Sequence, residues 1–187
     1  MNIVFPTIAP LLHRMLAGLF FGVVFLWAQT AQADIARFAG SYHGSAEVVS
    51  SDGSASPRDM SVEIVKADDG FNVNWTSVTH RSDGRITEKS YSIDFVNTDR
   101  PNVYAAAQKK NVFGHSVQLD PMQGEPFVWA RITGDTMTVY SLFVGDDGGY
   151  ELQQFDRTLV ENGLYLDFMR VRDGEQQKSV STLLERQ

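Results

Sequence analysis

The sequence predicts an all-β protein, an antiparallel meander of eight to ten strands closed into a barrel and preceded by a signal peptide. Seven turn pairs punctuate it, from Asp52-Gly53, Asp69-Gly70 and Asp83-Gly84 through Gly134-Asp135, Asp147-Gly148 and Asn162-Gly163 to Asp173-Gly174. Gly, Asp and Asn tolerate the positive φ angles of tight hairpins, and the intervals between the pairs are about one strand long. Within those intervals apolar and polar residues alternate with a period of two, as strands with one buried face do.

The leader comes first. Met15–Ala28 is an apolar run of 14 residues behind His13 and Arg14, and Ala31-Gln32-Ala33 supplies the small-x-small pattern of a cleavage site before Asp34. A membrane-spanning helix needs about 20 apolar residues, and Pro6 and Pro10 interrupt the weaker apolar stretch upstream. A cleaved signal peptide over residues 1–33 is therefore favoured over an uncleaved anchor. Cleavage leaves residues 34–187 as one domain, with no membrane span and a periplasmic or secreted location. Absence of cysteine excludes disulfides, thiolate metal sites and lipidation at the first mature position. The mature chain carries 15 basic and 23 acidic side chains, a balance that disfavours phosphate backbones, and nucleic-acid binding is set aside.

Strands are expected near 40–49, 58–66, 71–79, 85–96, 126–133, 135–144, 149–159, 163–172 and 176–185, with a shorter one around 102–106. Met60, Val62 and Ile64 alternate with Asp59, Ser61 and Glu63; Phe71, Val73 and Trp75 alternate with Asn72, Asn74 and Thr76. Tyr91, Ile93 and Phe95 form another apolar row, as do Leu164, Leu166 and Phe168. An irregular insert near 97–125 breaks the pattern, and Val103–Lys110 has the composition of a short helix within it. Closure into a barrel removes the edge strands of such a meander, and nearest-neighbour connections favour it over a Greek-key sandwich. An outer-membrane barrel is disfavoured because the last strand carries few apolar residues and ends in Glu185-Arg186-Gln187.

Gly40-Ser41-Tyr42-His43-Gly44 at the start of the first strand, the run of hairpins, and a last strand ending Leu183-Leu184-Glu185-Arg186 resemble the calycin superfamily of lipocalins, fatty-acid-binding proteins and avidins. Lipocalins carry Trp where this chain has Tyr42. The resemblance implies a barrel with a small-ligand role. Gly124 to Arg172 is also similar to uncharacterised exported bacterial proteins, which implies no activity.

Candidate sites are few. His43, His80 and His115 lack the spacing of a ligand pair, and the acidic clusters at Asp68-Asp69-Gly70 and Asp146-Asp147-Gly148 lack the calcium-loop pattern, so no metal and no cofactor are expected. No G-x-S-x-G occurs, and Gly114-His115-Ser116 lacks a nucleophile elbow; no enzymatic activity is expected. Two arginines extend apolar rows: Arg131 follows Phe127 and Trp129, and Arg170 follows Leu164, Leu166 and Phe168. If those rows face inward, the guanidiniums meet a cavity and hold a small apolar or amphipathic anion against Trp75, Trp129 and Phe168, with the Tyr91 hydroxyl nearby. The alternative is that both lie at strand ends and reach water, or pair with Asp156 or Asp167. The hairpin 127–144 is apolar on both faces, which calls for a cover: the insert, a protein partner or a second copy. A fully packed barrel docking a partner through that hairpin is the second reading of function.

Mass analysis of the protein recovered from its own host should find Asp34 as the first residue. An intact Met1 in the membrane fraction would replace cleavage with an anchor.

Overall fold

Strand length and hairpin geometry follow the punctuation closely in the computed structural model, which describes residues 34–81, 83–107, 109–110, 116–117 and 119–187. The expected leader 1–33 and His115 lie outside the described residues. The strands are β1 Gly40–Ser50, β2 Ala55–Ala67, β3 Gly70–His80, β4 Ile86–Asn97, β5 Val103–Ala106, β6 Lys109–Lys110, β7 Ser116–Val117, β8 Phe127–Thr133, β9 Thr136–Val144, β10 Tyr150–Val160, β11 Gly163–Arg172 and β12 Glu175–Arg186. Ten of them close an antiparallel barrel in the order β1-β12-β11-β10-β9-β8-β5-β4-β3-β2, while β6 and β7 pair separately.

Two expectations overlap in the insert, a short strand around 102–106 and a short helix over Val103–Lys110, and the strand is the one found. Val103–Ala106 is the strand β5 rather than the start of a helix, pairing with β4 at Phe95↔Ala106 and with β8 at Ala105↔Trp129. The helical propensity of the Ala-rich segment is outweighed by the need to bridge β4 and β8, and Tyr104 and Ala106 are buried by doing so.

Ten strands make a barrel too wide for side chains to fill along its whole length. One end is packed solid. Phe71 stacks on Phe95 at 5.0 Å and meets Tyr104 edge-on at 4.9 Å, and Ile132, Met137, Leu164 and Leu184 are all fully buried beside them. The segment before β1 closes this floor. Ile35–Arg37 forms a 3-10 turn capped by the Asp34 carboxylate, which accepts from the Ala36 amide at 2.9 Å, and Phe38 and Tyr42 behind it are completely buried. The Tyr42 hydroxyl donates to the Phe38 carbonyl at 2.8 Å and accepts from Arg186 Nη2 at 2.7 Å. The Arg186 guanidinium lies 5.0 Å from the centre of the Tyr42 ring and also donates to the carbonyls of Ala39 and Arg37. Burial raises the Tyr42 pKa despite the nearby Arg186 charge, which keeps the hydroxyl a donor. Gly163 starts β11 where a Cβ would fall 2.0 Å from the Leu184 carbonyl oxygen, so only glycine fits that pairing.

The outer faces of the first four strands are polar: His43, Ser45 and Glu47 on β1, Asp59 and Glu63 on β2, Asn72 and Asn74 on β3, and Ser90 and Asp94 on β4. A barrel in lipid needs a continuous apolar girdle, and these faces break one.

Tyr42→Phe leaves the Phe38 carbonyl and an Arg186 N–H without partners at the floor, a change expected to cost about 1–3 kcal/mol. Urea unfolding measures it, and an unmoved midpoint would show that the floor does not depend on this contact.

Candidate functional site: a cationic cavity

Above the packed floor the barrel opens into a cavity of about 770 Å³ that reaches over its rim to outer-face residues such as Thr76 and Ser92. Several inward rows grade from apolar at the floor to cationic at the mouth. On β2 the row runs Ile64, Val62, Met60, Arg58; on β4 it runs Phe95, Ile93, Tyr91, Lys89; on β11 it runs Leu164, Leu166, Phe168, Arg170. The period of two that buries each apolar residue carries the basic one into the lumen.

The cavity is lined by six cations, Arg58, Arg81, Lys89, Arg157, Arg170 and Lys178. Asp94 borders it too, but its carboxylate is engaged by the Asn72 amide at 2.7 Å. Glu151 forms an ion pair with Arg170. Aromatic rings occupy the middle of the lumen: Trp75 stacks on Tyr91 at 5.0 Å and sits 5.8 Å from Phe155, which meets Phe168 at 4.7 Å.

Arg157 is the unusual member. It is 1% exposed, and its guanidinium lies 5.9 Å from the Trp75 ring centre and 5.4 Å from that of Phe155. Its Nε and Nη1 have no hydrogen-bond partner in the protein, and the buried Nε atoms of Arg58 and Arg170 share that condition. Burial pushes the Arg157 pKa down to about 10, with Asp156 opposing the shift, so the group remains charged at neutral pH. Two unpaired N–H groups of a buried cation cost about 1–3 kcal/mol each. Cation–π contacts return about 0.5–2 kcal/mol apiece. At the middle of both ranges the cost is the larger, and the group is short of acceptors. Near the mouth, Arg170 and Lys178 stand directly opposite each other on β11 and β12, a like-charge pairing that destabilises the empty barrel.

Of the residues expected at a ligand site, Trp75, Tyr91, Phe168 and Arg170 line this cavity. Trp129 and Arg131 do not, which corrects the inward placement expected for them. Val128, Ala130 and Ile132 are the buried residues of β8, leaving Phe127, Trp129 and Arg131 on the outside. There Trp129 stacks on Tyr140 at 4.8 Å and Arg131 lies over the same ring at 5.7 Å. The parity is set at the floor end of β8, where Ile132 pairs with Met137 and both are fully buried; counting back by twos carries Ala130 and Val128 inward and leaves Trp129 and Arg131 outward. Neither Asp156 nor Asp167 is the partner of these arginines. Asp156 accepts from Thr138 and Gln154, and Asp167 accepts from Ser181. Within the described part of the insert, Leu119 borders the cavity, and the turn Pro121–Gln123 lies against β9.

Arg157 and Arg58 were legible and passed over. Arg157 continues the row Phe155–Leu159 and Arg58 continues Met60–Val62–Ile64, the same signal that singled out Arg170. Elsewhere, His43 is exposed, and His80 pairs with Asp59 at 2.7 Å on the outer surface. Asp147 accepts from the Gly149 amide within the β9–β10 turn. No cluster of three or more His, Cys, Asp or Glu side chains suited to a metal occurs among the described residues.

Arg157→Met removes the unpaired cation while keeping most of the volume, and should stabilise the ligand-free protein by about 1–3 kcal/mol. A higher urea midpoint is the expected reading, and a lower one would show that the cation–π contacts outweigh desolvation. Comparison with protein-family models, with curated proteins and with solved structures found no match to the chain.

Proposed function

We propose that this protein is an exported, periplasmic or secreted barrel that binds a small amphipathic anion in its lumen and releases it unchanged. The observation that carries the reading is Arg157, a charged side chain buried among aromatic rings on a cavity of about 770 Å³ with two N–H groups unpartnered. Small-molecule sites have volumes of about 300–1,000 Å³ and combine apolar walls with a few convergent polar groups. The export leader supports the location, and the fold is compatible with a calycin-like barrel, for which a small-ligand role is the ordinary use. A role without chemistry is supported by the character of the lining: beside the cations it offers Ser, Thr, Gln, apolar and aromatic groups, while the bordering Asp94 is engaged by Asn72 and the nearby Glu151 is tied to Arg170.

A second reading, docking of a protein partner on the hairpin 127–144, is favoured by the outward-facing Phe127, Trp129 and Tyr140. The two roles use opposite faces of the wall.

Native mass spectrometry of the protein from its own host should show a retained small anion. Arg157→Met should weaken its binding by about 1.5–3 kcal/mol, which is roughly ten- to a hundredfold. Unchanged affinity in the variant would remove Arg157 from the site, and a protein that binds no anion at all would move the weight to the docking role.

A further inference from the structure

We infer that the ligand is a dicarboxylate with an apolar body, its inner carboxylate on Arg157 and its outer one between Arg170 and Lys178. This rests on the binding role proposed above and specifies the ligand's chemistry. Two separate cationic levels lead to it. Gln153 stands opposite Arg170, and Arg170 stands opposite Lys178. Arg157 lies four residues further along β10, which is about 13 Å along the strand. Between the two levels the lumen presents Phe155 and Phe168, with Trp75 reaching in from β3. A short monoanion satisfies one level and leaves the other as it was.

The outer level needs an anion in its own right. Arg170 and Lys178 both line the cavity from directly paired positions, and Glu151 offsets a single charge there. A second carboxylate between them would remove the repulsion and give the partnerless Nε of Arg170 an acceptor. The inner level limits the charge of the deep end. A single guanidinium at 1% exposure balances one negative charge, whereas a doubly ionised phosphate would bury an uncompensated charge against aromatic walls.

Calorimetric titration with α,ω-dicarboxylates from octanedioate to tetradecanedioate, each against the monocarboxylate of equal length, tests this. At the best-fitting length the dicarboxylate should bind at least about tenfold tighter than its monocarboxylate. Lys178→Met, a change near the mouth that leaves the packed floor untouched, should erase most of that advantage, because it removes one of the two cations that hold the outer carboxylate. Arg157→Met should weaken both series. Equal affinities at every length, or an advantage that survives Lys178→Met, would overturn the dicarboxylate assignment and leave the binding role standing. If neither series binds and the protein carries no anion from its host, both conclusions fall together.

Discussion

The structure depends on closure of β1 against β12. Their ladder holds at its two ends, Tyr42↔Arg186 and His43↔Glu185 near the floor and Val49↔Ser179 and Ser50↔Lys178 near the mouth. Between these ends the strands come close enough that a Cβ on Gly44 would fall 2.5 Å from the Leu183 carbonyl oxygen, and the Thr182 hydroxyl donates across to Ser45. The same closure delivers Arg186 to the Tyr42 ring and seals one end of the barrel. With that end sealed and ten strands in the wall, the space left over lies at the other end. The cavity therefore follows from the way the sheet is joined.

Charge is sorted by the wall. The chain as a whole carries a net charge of −7, yet its lumen is lined mainly by cations while acids such as Asp59 and Glu63 sit on the outside. Strand alternation makes the separation sharp, because neighbouring residues such as Arg58 and Asp59 face opposite media. The arrangement has an energetic cost in the empty state, most clearly at Arg157. Local instability of this kind is common where a protein holds groups ready for something it does not itself contain.

Much of the fold was legible in the sequence, since turn pairs and a period of two locate strands wherever one face is wet and the other dry. The reading weakened where that contrast disappears. On β8 both faces are apolar, so alternation separated Trp129 from Ala130 without saying which points inward; the burial of Ile132 against Met137 at the floor fixes that parity, and it is a property of the closed barrel. At Val103–Ala106 strand and helix readings competed for a related reason, as local propensity carries no knowledge of a gap between β4 and β8. Arg157 is a different case. Its row was visible, but an adjacent Asp156 makes a surface ion pair the ordinary expectation, and only the closed wall shows the two side chains on opposite faces.

Hairpin pairings join neighbours in sequence, whereas the contact of Arg186 with Tyr42 spans 144 residues. Much of the entropy of bringing distant segments together is thus concentrated in one closure, and chains rich in such non-local contacts fold slowly. Before that event the meander is an open sheet with two bare edges, able to pair with other chains. Keeping copies apart during that interval raises the share of chains that close on themselves rather than on a neighbour, so the concentration at which such a barrel folds bears directly on how much of it is recovered.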